Sequence, residues 1–150
     1  MAFNVIYTGS FNDNVNNDRI DIYIKQDGFV GNPSTLILDS KPVIISYSSK
    51  EFDAQLFGCG CEINIINDTG NFYQYDSLFS VPERSNYIEI IKTPANGDPS
   101  IYLFQGYILP DMYTSKLGHN ISLTIPATDR LTTLDRYTPG CLIDTSTVRR

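Results

Sequence analysis

The side chains able to do chemistry in this 150-residue chain are few and scattered. A serine or cysteine hydrolase needs a base beside its nucleophile, usually histidine. The only histidine is His119, in the turn Lys116-Leu117-Gly118-His119-Asn120, where it reads as a surface turn residue. Cys59 and Cys61 flank Gly60 and open an alternating segment, so both thiols point to one face of a strand. Together with Cys141 and His119 they would make a four-ligand zinc set. The paired knuckles of a tight zinc site are missing, and buried free thiols beside a glycine bulge are the reading the pattern favours.

The carboxylates Asp13, Asp18, Asp21, Asp39, Glu51, Asp53, Glu62, Asp68 and Asp76 show no spacing that marks a pair. A glycosidase holds two carboxyl groups at a fixed separation across a cleft. The chain contains no Trp, the usual sugar platform. Asp68-Thr69-Gly70 spells the start of an aspartic protease motif, but the second copy is missing and the tripeptide reads as a hairpin turn. No GxGxxG, phosphate loop or calcium loop occurs. The expectation is a protein that is not an enzyme and uses no cofactor or metal.

The elements that would position these residues follow period two. Arg19–Gln26 places Ile20, Ile22 and Ile24 on one face and Asp21, Tyr23 and Lys25 on the other. Cys61, Ile63 and Ile65 share a face, as do Ile121, Leu123 and Ile125. Weaker strands are expected over Phe3–Thr8, Thr35–Leu38, Val43–Ser48 and Tyr87–Lys92. Between them lie turn signals: Asn12-Asp13-Asn14, Asp27-Gly28, Asn32-Pro33, residues 67–71 and Asn96-Gly97-Asp98-Pro99. A helix is expected over Thr128–Arg136, because Ala127, Leu131 and Leu134 recur at i, i+4 and i+7 and Thr128 stands at the cap. One further turn of helix is expected at Asp76–Phe79. This is an all-β pattern, mainly antiparallel: a barrel or sandwich with one short covering helix. One domain spans residues 1–137, and residues 138–150, without periodicity, read as a C-terminal extension or the start of a further region.

Composition narrows the partners. Hydrophobic residues make up 41% and charged residues 19%, and the net charge is -6. Phosphate binding needs clustered Lys and Arg, so neither a specific nucleic-acid interface nor docking on an anionic membrane is expected. No apolar run approaches the roughly 18 residues of a membrane span, and Met1–Ser10 lacks the basic and apolar blocks of a signal peptide. Three cysteines are an odd count for a disulfide framework, which points to assembly in a cytosol with reduced thiols.

One segment breaks the half-buried pattern. Ile101–Leu109 is apolar at Ile101, Leu103, Tyr107 and Leu109 on one face, and at Tyr102, Phe104 and Ile108 on the other, with Gly106 between. Two readings stand: a central strand covered on both sides by its own chain, or a strand whose second face meets another subunit. On the second reading the interface residues are Tyr102, Phe104, Ile108 and Tyr113. Gly106 marks a bulge or a close backbone approach. Pro110-Asp111 ends the strand.

Four segments in this order resemble a known family: residues 51–70 (EFDAQLFGCGCEINIINDTG), 86–92 (NYIEIIK), 100–114 (SIYLFQGYILPDMYT) and 119–137 (HNISLTIPATDRLTTLDRY). They are similar to the N-terminal region of hub proteins from the tails and baseplates of long-tailed bacteriophages. The matching features are the small turn Gly58-Cys59-Gly60-Cys61, the set Phe104, Gly106, Ile108, Pro110 and Tyr113, and the helix start Ala127, Asp129, Leu131 and Leu134. The resemblance implies a tail-tube-like β-barrel whose copies form a ring, trimeric or hexameric, around a channel for DNA. It implies other tail or baseplate proteins as partners, and a place in the virion tail after assembly in the host cytoplasm. The chain is shorter than such hubs usually are. The alternative is a β-sandwich module that binds a ligand or carbohydrate through exposed tyrosines such as Tyr73, Tyr75 and Tyr102.

Overall fold

The computed structural model of the protein describes residues 2–48, 58–67, 73–82, 84–110 and 120–129. Eight strands are present: β1 (Phe3–Asn12), β2 (Arg19–Asp27), β3 (Ser34–Thr35), β4 (Leu38–Ser48), β5 (Gly58–Asn67), β6 (Asn86–Thr93), β7 (Ile101–Ile108) and β8 (Ile121–Asp129). A 3-10 turn covers Asp76–Leu78, where one turn of helix is expected. The fold is all-β, as the alternating segments require.

The strands form one sheet in the order β3-β1-β2-β6-β7-β8-β5-β4. Its two ends belong to one stretch of chain. The Leu36 amide N–H donates to the Thr8 carbonyl oxygen at 2.8 Å, and the Ile66 amide N–H donates to the Ile37 carbonyl oxygen at 2.7 Å. Residues 34–38 therefore bond to β1 on one side and β5 on the other, and the sheet closes on itself as a barrel. Counting β3 and β4 as one rail, seven rails alternate in direction. An odd ring of alternating strands must contain one parallel pair, and that pair is β1 with β3.

Closure explains the burial. Ile22 and Ile24 of β2, Ile63 and Ile65 of β5, Ile88 and Ile90 of β6 and Ile125 of β8 have no exposed surface. They fill the interior with Ile6, Leu36, Phe104, Ile108, Leu123 and Ala127. Each such side chain contributes about 1.5–3 kcal/mol by leaving water. One barrel end is plugged by the 3-10 turn, where Tyr75 and Leu78 are buried and the Tyr75 ring lies 5.3 Å from that of Tyr7. The Asn86 side-chain amide fixes the turn by donating to the Leu78 carbonyl at 2.5 Å.

The expected helix start gives way. Thr128 and Asp129 continue β8, with Thr128 opposite Gly60 and Tyr107, and Asp129 opposite Gly106. The alternation of Leu123, Ile125 and Ala127 toward the core carries the strand past the position that spacing alone read as a cap. Residues 130–136 of that segment lie outside the described residues.

Candidate functional site

The strand that is apolar on both faces owes its pattern to a bulge. From Ile90 to Ile91, β6 advances one residue while the partner on β7 moves from Phe104 to Tyr102, leaving Leu103 extra. Such an insertion flips the alternation. Phe104, Gly106 and Ile108 face the core, whereas Tyr102 joins the outer row with Ile91 and Asp21.

The four residues expected at a subunit interface therefore separate. Phe104 is 3% exposed and Ile108 is 4% exposed, both in the core of the single chain, which corrects their interface assignment. Tyr102 is 60% exposed. Tyr113 lies outside the described residues. The opposite face of β7 is partly covered by its own chain. Tyr107 lies 5.3 Å from Tyr87, Tyr87 lies 5.9 Å from Phe3, and the Arg84 guanidinium carbon sits 5.9 Å from the Tyr107 ring centre. Such ring pairs contribute about 0.5–1.5 kcal/mol beyond the area they bury.

Gly106 is a close approach. A β-carbon there would meet the carbonyl of Thr128 and the tip of the Phe104 ring, so only glycine lets β7 lie this near β8.

Four of the described carboxylates hold structural bonds. Asp18 accepts from Lys92 Nζ at 2.7 Å and from the Ala95 amide at 2.9 Å, which ties the β1–β2 turn to β6. Those bonds hold its carboxyl below the usual carboxylate range, the lysine contact first. Asp39 accepts from Ser122 Oγ at 2.6 Å and from the Ser40 amide at 2.6 Å, and is lowered in the same way. Asp21 pairs with Arg19 at 2.9 Å, and Asp13 accepts from the Val15 amide at 3.2 Å. Glu51, Asp53 and Asp68-Thr69-Gly70 lie outside the described residues, as do His119 and Cys141.

Cys59 and Cys61 are buried free thiols on the core face. Burial pushes the Cys61 thiol up to about 12, with smaller contributions from Cys59 and Glu62. A thiol so desolvated is a poor nucleophile and ligand at neutral pH. Among the described residues, no three His, Cys, Asp or Glu side chains converge as a metal site. The tyrosines proposed as a ligand platform also divide: Tyr73 and Tyr102 are exposed, but Tyr75 is in the core.

Two surface features remain, and neither was legible in the residue types. The first is a slot. The described part of β8 ends at Asp129 beside Gly106, and among the described residues Ile101–Gln105 of β7 have no strand partner on that side. Across the slot stand the first residues of β5, where the Cys59 amide donates to Asp129 Oδ2 at 2.8 Å. Two strand spacings, roughly 9–10 Å, separate β7 from β5 there. A depression of about 310 Å³ lies among Tyr47, Cys59, Tyr102, Leu103, Phe104, Gln105 and Asp129. The second feature is the edge of β4. Over Val43–Ser48 it pairs with β5 on one side, and no described strand pairs with it on the other. Ile44 is 44% exposed and Tyr47 is 72% exposed.

A furrow of about 450 Å³ runs along the seam between the end of β1 and the start of β4, between Phe11, Asp13, Leu38, Asp39 and Pro42. It marks where the two rails diverge past the joint at Leu36. Comparison with family models, with curated proteins and with solved structures finds no match.

Proposed function

We propose that this protein is a structural virion component, a tail or baseplate hub barrel whose copies close a ring around a channel for DNA. Its function resides in surfaces. One observation carries the reading: the barrel interior is filled by fully buried isoleucines, while four of the eight exposed large apolar side chains among the described residues, Ile44, Tyr47, Ile101 and Tyr102, sit on strands β4 and β7. Tyr47 and Tyr102 line one depression, and contiguous exposed apolar surface marks contact with another protein. The net charge of -6 supports passage of DNA, because like charge keeps the strand from adhering to the wall. The sequence resemblance to phage hub proteins supplies the biological setting, with neighbours among tail and baseplate proteins. The ligand-binding alternative has less support, since Tyr75 is in the core.

Electron microscopy of the purified full chain, with light scattering on the same sample, tests the reading. Rings of three or six copies are expected. A stable monomer at micromolar concentration overturns it.

A further inference from the structure

We propose that the β4 edge is a two-fold contact, in which Val43–Ser48 pairs antiparallel with the same segment of a second copy and fuses two barrels into one continuous sheet. An unpaired strand edge presents a row of backbone donors and acceptors that only another extended chain can satisfy in full. Soluble proteins blunt such edges with charge, proline or a bulge. Here those devices stop at Lys41 and Pro42, beside the register shift between Leu38 and Val43. From Val43 to Ser48 every residue is uncharged, and three are β-branched aliphatics.

Charge selects the occupant. A two-fold antiparallel contact sets the central side chain opposite its own twin and its neighbours diagonal to theirs, so a charged centre would repel itself. This segment has none. Opposite residues must also share a face of the joint sheet. Pairing centred on Ile45 meets that condition: Ile44 faces Ser46 of the second copy, and Val43 faces its Tyr47. The exposed Ile44 and Tyr47 are then covered, with Tyr47 against a β-branched partner, a favoured cross-strand combination. The contact goes beyond the ring reading. A ring needs two different surfaces joined head to tail, whereas this edge matches itself.

The test uses the full chain carrying Ile44→Lys with Ser46→Lys, followed by size-exclusion chromatography with light scattering. Both positions are exposed, so the circular dichroism spectrum should match that of the original chain. The expected mass is half that of the unmodified protein. Mixing with a chain carrying Ile44→Glu and Ser46→Glu should restore the full mass. Should the double variant fail to fold, Ile44→Lys alone gives the same readout. A mass halved to a ring of three or six copies supports both contacts. A fall to monomer supports the edge and removes the ring. An unchanged mass means the edge is open or takes a strand of another protein, and overturns the proposal. A monomeric unmodified chain overturns both.

Discussion

The carbonyl oxygen of Thr128 occupies the place where a β-carbon on residue 106 would stand, and so fixes glycine at that position of β7. The Phe104 ring closes the other side, with its Cζ at 2.6 Å from that same β-carbon position. A side chain would push β8 away from β7 at the Gly106–Asp129 pair. The contact with Thr128 is to backbone, which cannot rotate aside.

Gly106→Ala should therefore destabilise the fold by about 3 kcal/mol, at the upper end of overpacking costs. Chemical denaturation checks it. An alanine variant within about 0.5 kcal/mol of the original, the range of a neutral surface change, would show that the two strands have room to part.

The bulge at Leu103 predicts opposite outcomes for two neighbours. Phe104→Asp places a charge without a partner in the barrel core and should abolish folding. Tyr102→Asp lies on the outer row and should leave the monomer fold intact. Soluble yield and far-ultraviolet circular dichroism separate them. Equal damage from both would mean that the alternation continues through Leu103 without a switch.

Stability should fall at both ends of the pH scale. Asp18 and Asp39 have folded-state pKa values below their unfolded ones, held there by Lys92 and Ser122 respectively. Their contribution is complete above the unfolded carboxylate value of about 3.9 and is lost as pH falls through the lower folded values. Asp18→Asn should flatten part of this acid limb. Cys61 shifts the other way. Its contribution is complete below the unfolded thiol value of about 8.5. It is lost as pH rises through the folded value of about 12. Cys61→Ala should flatten part of the alkaline limb, and thermal melts across the pH range read both. An alkaline limb unaltered by Cys61→Ala would place that thiol in water.

Local alternation was sufficient to identify most of the strands and, β7 excepted, which of their faces is buried. Ile22, Ile24, Ile63, Ile65 and Ile125 point inward as period two dictates, and turns follow β1, β2 and β6 at the expected Asn, Gly and Pro clusters, while residues 68–71 of a further expected turn lie outside the described residues. Gly106 was legible as a bulge or a close approach, the usual uses of a glycine inside an apolar strand, and the structure shows the close approach. Three matters were settled only by tertiary structure. The sheet closes because Leu36 bonds to β1 and Ile37 to β5, and no local pattern says which strands become neighbours. The bulge at Leu103 moves Tyr102 outward and leaves Phe104 inside, since register against β6 fixes where the extra residue falls. The helical spacing of Ala127, Leu131 and Leu134 yields at Thr128 and Asp129 to pairing with β5 and β7. Side-chain period is a property of one strand, whereas closure, register and free edges belong to the whole set, so the β4 edge that no described strand covers is visible only in the assembled sheet.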